Sequence, residues 1–209
     1  MPSSSKKVNY NLRVRKAIER KMVCDTLLNF KSLKEISAYQ YIGFGAAFFT
    51  DFILIHRQLG IKKMISIEAD KNIDRYIFNK PFECINMMFD SSNEALPRIN
   101  FKIPSFLWLD YDFKINQEFL VDIEIFFSNA VSGSVFLITI DVDTDEYDEL
   151  NLSIKEFKEF LKKELTKKLG KNNFDEDKIN EIIKTNLDNY YQLVYNIINN
   201  KIHDVVMER

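Results

Sequence analysis

Two glycines one residue apart are the first residues here whose type and spacing could do chemistry. The 209-residue chain has only five glycines, and Gly43 and Gly45 stand together in Tyr41-Ile42-Gly43-Phe44-Gly45-Ala46-Ala47. A nucleotide-type ligand needs a sharp turn and a backbone that comes close. Glycine allows both, and the N-terminus of a following helix adds N–H donors. Further on, Glu68 closes the run Met64-Ile65-Ser66-Ile67-Glu68, where a carboxylate is placed to accept from ribose hydroxyls. Two later apolar runs also end in acids, Asp110 and Asp112 after Leu109, then Asp141 and Asp143 after Ile140. These four carboxylates could gather a hard cation, which takes oxygen ligands, lowers the pKa of a substrate hydroxyl and orients it. The plainer alternative is that they are solvated or cap the next helices.

Other chemistries are poorly supported. The two histidines are His56, inside a helical stretch, and His203, near the end; there is no GxSxG and no readable Cys–His pairing. Cys24 and Cys84 are isolated, which argues against a disulfide framework and a zinc ribbon. The alternating Asp141, Asp143 and Asp145 fail as a calcium loop, because Glu146 stands where glycine is needed and Leu152 where glutamate is needed. A dehydrogenase fingerprint fails at its third glycine, where Phe48 stands in place of the small residue that close helix packing wants.

The elements that must position these residues follow from patterning. Short apolar runs at Tyr39–Gly43, Lys63–Ile67, Glu83–Phe89, Phe106–Asp110 and Ser134–Ile140 read as strands. Ala47–Gln58, Asp70–Phe78 and Gln117–Ala130 read as intervening helices, and Gly60 sits where the first would stop. Alternation of this kind predicts an α/β, Rossmann-like, mostly parallel sheet of about five strands flanked by helices. Runs this continuously apolar fit strands covered on both faces. The carboxyl ends of such strands face the ligand crevice, so Asp110 is aimed at it. Leu152–Leu169 and Asp177–Ile202 read as a helical tail, with no evident sixth or seventh strand.

Charge divides the chain into three zones: a basic N-terminal helical segment (1–34, net +7), an acidic body carrying the Rossmann-like domain (35–150, net -10) and a balanced C-terminal extension (151–209, net +1). In the first zone, Val14–Phe30 reads as a helix with Ile18, Met22, Leu27 and Leu28 on one face near Val14. Arg13, Arg15, Lys16, Arg20 and Lys21 fall on the other. That basic segment has three readings: a solvated face, a phosphate-tracking arm for RNA or nucleotide contact through Arg13, Arg15 and Arg20, or a lid placing Arg13 or Arg20 over the acidic crevice. No apolar run reaches the ~20 residues of a membrane helix, and the start lacks an apolar signal core. A soluble, cytoplasmic protein is therefore expected.

The order of glycine turn, acid-tipped second strand and Asp90-Ser91-Ser92 after the third resembles class I S-adenosylmethionine-dependent methyltransferases over residues 39–140. The resemblance implies that Gly43 and Gly45 lie against the methionine part of S-adenosylmethionine, that Glu68 binds the ribose, and that Asp90 with Ser91 brackets the adenine. It places Asp110 beside the transferred methyl group, with Asp112 near it. The WLDYD segment also resembles catechol-type O-methyltransferases, in which a fourth-strand acid helps hold Mg2+; here that implies Asp110, with Asp141. Two departures stand out: Tyr41 occupies a cofactor-binding position usually acidic, and Ala47 replaces a third glycine. The opening run, YIGFG and WLDYD are similar to a bacterial O-methyltransferase-like family of unassigned substrate, some of whose members sit in anti-phage gene neighbourhoods.

These features lead to methyl transfer onto an oxygen of a small-molecule or nucleotide/RNA acceptor. The alternative from Tyr41, Ala47 and the missing last strands is a catalytically silent module that binds a nucleotide or nucleic acid and acts through a partner. The absent strands imply a truncated chain, a partner chain, or closure by helices. A homodimer or partner contact through the C-terminal helices, at Tyr190, Tyr191 and Tyr195, is one expectation; core packing of these tyrosines is the other.

Overall fold

The computed structural model describes residues 14–29, 35–144, 147, 150, 152–183 and 189–209. Arg13, the run at 9–12 before it, and Asp145 lie outside the described residues. The chain forms two compact units: Met1–Asp110 with Asn129–Thr139, and Tyr111–Ser128 with Ile140–Arg209. The basic helix lies in the same unit as the sheet.

The first unit holds α1 (Val14–Asn29), β1 (Gln40–Gly43), α2 (Thr50–Leu59), β2 (Lys63–Ile67), α3 (Ile73–Asn79), β3 (Ile85–Met88), the single-turn α4 (Ser92–Ala95), β4 (Ser105–Asp110) and β5 (Val135–Thr139). All four strand pairings are parallel and the order is β3-β2-β1-β4-β5. This is the Rossmann-like arrangement expected from the sequence. The chain steps outward from β1 through β2 to β3, then returns to the opposite side of β1 as β4. That reversal makes the switch point at which open α/β sheets bind ligands.

On one face of the sheet, Tyr41, Met64, Phe106 and Trp108 pack with Phe52, Ile55 and Leu59 of α2 and Cys24 and Leu27 of α1. The alternate residues Ile42, Leu107 and Leu109 point to the opposite face and are also fully buried. Both faces are therefore covered, which is why the strand runs carry so few polar residues. Gly60 ends α2 in the left-handed region at φ 69°, its N–H returning to the His56 carbonyl.

One sequence expectation is overturned. The apolar stripe of α1 does not face the core: Val14, Ile18 and Met22 are 72%, 55% and 63% exposed, while Arg20 is buried with Cys24 and Leu27. Lys16, Arg20, Cys24 and Leu27 share the inward face because Asp110 at the end of β4 and Asp51 in the first turn of α2 pair with the two cations. Ion pairing has overridden hydrophobic periodicity.

The second unit contains α5 (Gln117–Asn129, all but its last residue), α6 (Ile154–Leu169), α7 (Glu176–Ile182) and α8 (Tyr190–Met207). Phe157, Leu161, Leu165 and Leu169 recur every fourth residue along the buried side of α6. Tyr147 meets Phe157 and Tyr190 edge-on or tilted, at 5.6 and 5.5 Å between ring centroids. The long helix expected over Asp177–Ile202 is two, α7 and α8, with 184–188 outside the described residues. Tyr190 is buried, whereas Tyr191 and Tyr195 are exposed. Among the described residues there are five strands, and no helix is long and apolar enough to cross a membrane.

Candidate active site

Register brings the candidate residues to one edge. Gly43 is paired laterally with Ser66 on β2 and Trp108 on β4. Two residues further along each chain, Gly45, Glu68 and Asp110 follow at the carboxyl ends of β1, β2 and β4.

The loop between β1 and α2 is unusually tight. A Cβ on Gly45 would fall on the Ser66 hydroxyl and lie 2.7 Å from the Phe49 ring. One on Gly43 would lie 2.8 Å from the Tyr41 hydroxyl and 3.0 Å from the Trp108 carbonyl oxygen. Neither glycine has a positive φ. The left-handed positions are Ala46 at φ 48° and Phe49 at φ 50°, residues with a Cβ that pay roughly 1–2 kcal/mol each for that conformation. Phe49, fully buried, is also the N-cap of α2, and its N–H closes the turn on the Gly45 carbonyl at 2.9 Å.

Glu68 is buried against this loop, 7% exposed. Burial pushes its carboxyl up to about 7, although the backbone N–H groups of Ala46 and Gly45 and the Tyr76 and Ser66 side chains all favour the ionised form. No cation stands among these partners.

The next two acids are held differently. Arg20 of α1 donates through Nε to Asp51 Oδ1 in the first turn of α2, with side chains only 7% and 14% exposed. Burial raises the Asp51 carboxyl, and Arg20 opposes it. Lys16, one turn earlier, places Nζ 2.8 Å from Asp110 Oδ1 and 3.2 Å from Glu19, at 18% exposure against 26% for Asp110. Burial would lower the Lys16 ammonium, but the Asp110 hydrogen bond and charge, with Glu19, hold it above its usual value. Tyr41 lies in the core between Phe52 and Phe106, ring centroids 4.8 and 5.2 Å away. Burial, then Asp51 and Asp110, push its hydroxyl well up.

At the end of β3, Asp90 pairs with Arg98 and Ser91 caps α4 in a reciprocal box with Glu94. Arg15 is exposed on α1. Asp112 and Asp141 belong to the second unit. There, Asp141 accepts from Lys114 Nζ at 3.4 Å and from the Asp143 N–H at 2.9 Å, and Lys114 also reaches the Asp143 carbonyl. Among the described residues no three His, Cys, Asp or Glu side chains converge as metal ligands. His56 Nδ1 lies 2.8 Å from the Ile61 carbonyl, which places the proton on that nitrogen. It therefore offers no lone pair to the Cys84 thiol 3.9 Å away. The second unit also has a cleft of about 730 Å³ between α5, α8 and Asn173–Asp175, lined by none of the strand-end residues.

The structure thus brings Gly43, Gly45, Glu68, Asp110 and Arg20 to one edge of the first unit. It adds Lys16, Asp51, Ser66 and Tyr76, which sequence reasoning did not single out. Asp51 carried one signal, an acid in the first turn of the helix after the glycine turn.

No curated protein and no solved structure matches the chain. A family model described as "Putative O-methyltransferase" matches residues 8–209, almost the whole length and all five strands. With a match of that extent, the chain belongs to this O-methyltransferase family.

Proposed function

We propose that the protein is a cytoplasmic S-adenosylmethionine-dependent methyltransferase acting on an oxygen of a small-molecule or nucleotide/RNA acceptor. Glu68 carries this reading: a buried carboxylate at the tip of the second strand, held by N–H groups of the glycine loop, with no ion pair to a cation among the described residues. Such a group fits a neutral vicinal diol, which donates to a carboxylate without neutralising it.

Gly43, Gly45 and Glu68 would hold the cofactor, with Asp90 and Ser91 beyond β3. Bound there, S-adenosylmethionine supplies an electrophilic methyl group on a sulfonium. The chain's own part is positioning, since in-line displacement depends on alignment and on a deprotonated acceptor. Asp110 at the switch point is the residue we assign to orient the acceptor hydroxyl. Titration calorimetry of the full chain with S-adenosylmethionine and S-adenosylhomocysteine tests the proposal. Binding lost in Glu68→Ala is expected; no heat at millimolar ligand from a folded sample overturns it.

One observation favours a second reading. Asp51, in the first turn of α2, and Asp110, at the end of β4, are already in ion pairs with α1. A catalytically silent module that binds a nucleotide and acts through a partner, in anti-phage defence for example, would keep them so. Methyl transfer to any acceptor pool removes that reading.

A further inference from the structure

We propose that the first half of α1 is a strap, hinged at Arg20 and latched by Lys16 onto Asp110, that controls access to the Asp110 carboxylate. Its role in gating a ligand rests on the methyltransferase reading; the strap itself does not.

The helix is anchored unequally along its length. Arg20, Cys24 and Leu27 are buried, so the second half is fixed to the core. None of the six residues Val14–Glu19 is buried, and the apolar ones, Val14 and Ile18, point to solvent. The first turn has no acidic residue to complement its N–H groups, and Arg15 and Lys16 add positive charge at the positive end of the helix dipole. Among the described residues, the polar tie of this half to the sheet is Lys16 Nζ on Asp110 Oδ1. Segments with little burial and one polar tether open locally, well below the cost of global unfolding.

The two ion pairs suit the two roles. Arg20–Asp51 is dry, so separating it leaves a buried charge without a partner. Lys16–Asp110 is partly wet, and salt weakens such a pair. Since Lys16 and Arg20 are one turn apart on the same face, the helix can release the first and pivot on the second. While latched, Lys16 holds the carboxylate that an incoming donor or cation must reach.

Hydrogen exchange of the full-length chain reads the strap without any ligand. In Lys16→Met and in Asp110→Asn, the amides of residues 18–20, which donate to the carbonyls of the first turn, should exchange roughly fivefold faster than in wild type, the gain matching a partly exposed ion pair. Those of 24–29 should not change. The difference should fade between about 0.1 M and about 1 M salt, as the screening length falls from about 10 Å to about 3 Å. Carbodiimide labelling of wild-type Asp110 should rise over the same range relative to Asp74, an exposed acid. Unchanged exchange at 18–20, equal acceleration along all of α1, or flat Asp110 labelling each overturns the strap.

Calorimetry with S-adenosylhomocysteine separates the two ideas. Tighter binding to Lys16→Met supports gating, and equal binding to both proteins removes it. If neither protein binds while the exchange and labelling pattern holds, the strap stands and the methyl-donor reading fails.

Discussion

The carboxyl edge of the sheet treats its acids in two ways. On the β2 side, Glu68 is satisfied by backbone N–H groups and hydroxyls, and burial leaves it near 7. On the β4 side, Asp51 and Asp110 are each matched by a cation from α1. Dipoles satisfy a carboxylate's lone pairs but do not cancel its charge; a guanidinium or ammonium cancels the charge and holds the site closed. The first arrangement leaves an acceptor for a neutral hydroxyl. The second has to be opened before it can accept anything.

The comparison breaks most sharply at Arg20. Arg20→Met leaves Asp51 buried with its cation removed, and losing one partner of such a pair costs about 3–5 kcal/mol. Chemical denaturation at neutral pH should show that loss. Adding Asp51→Asn should recover much of it, because the cost lies in the stranded charge. A full loss that persists in the double variant would mean that Arg20 acts by packing.

Glu68 should show the opposite signature, a charge that the folded state tolerates poorly. Its folded value, about 7, lies above the usual 4.5. Between those values the folded chain holds the proton more firmly than the unfolded one. Stability from this group is therefore complete below about pH 4.5 and is lost as pH rises through 7, by about 3 kcal/mol in all. Glu68→Gln should remove that part of the pH slope and be more stable than wild type at pH 8, yet bind S-adenosylhomocysteine more weakly. Unchanged slopes in unfolding curves from pH 5 to 8 would show that Glu68 is stabilised by more than its dipoles.

Gly45→Ala sharpens what holds the β2 side together. The new methyl meets the Ser66 hydroxyl and the Phe49 ring, overpacking that costs roughly 1–3 kcal/mol. Adding Ser66→Ala should return part of the loss in thermal unfolding, since one of the two collisions disappears. Lys16 and Arg20 should be indifferent to it.

The sheet was legible because covered parallel strands need nearly unbroken apolar runs, and Met64–Ile67 and Phe106–Leu109 supply them. Glu68 and Asp110 were legible for the same reason, each being the first charge after such a run. The orientation of α1 was not. Periodicity weighs Val14, Ile18 and Met22 by hydrophobicity, but the acid that draws Arg20 inward lies thirty-one positions along the chain. The glycine loop is a subtler case. Gly43 and Gly45 suggested a sharp turn with close backbone approach; a Cβ at either meets the chain's own side chains, and Ala46 and Phe49 take the left-handed angles. No residue type marks such positions in advance. At β3, the spacing of Ser91 and Glu94 did signal a capping box, a local use of Ser91 that the sequence could have disclosed.

The smallest expected effect is the one that separates the two ion pairs of α1. Lys16→Met removes a pair that water reaches, so global stability should change by less than about 1 kcal/mol, against several for Arg20→Met. The wild-type contribution should shrink with added salt, while that of Arg20–Asp51 should hardly respond, because screening ions do not enter a dry contact. Denaturation midpoints of the two variants at low and high salt therefore form a cycle. If Lys16→Met costs as much as Arg20→Met, α1 is fixed along its whole length and both acids are held permanently. If its cost is small and vanishes in salt, the β4 side opens by a movement that leaves the core intact, and only the β2 side is permanently arranged.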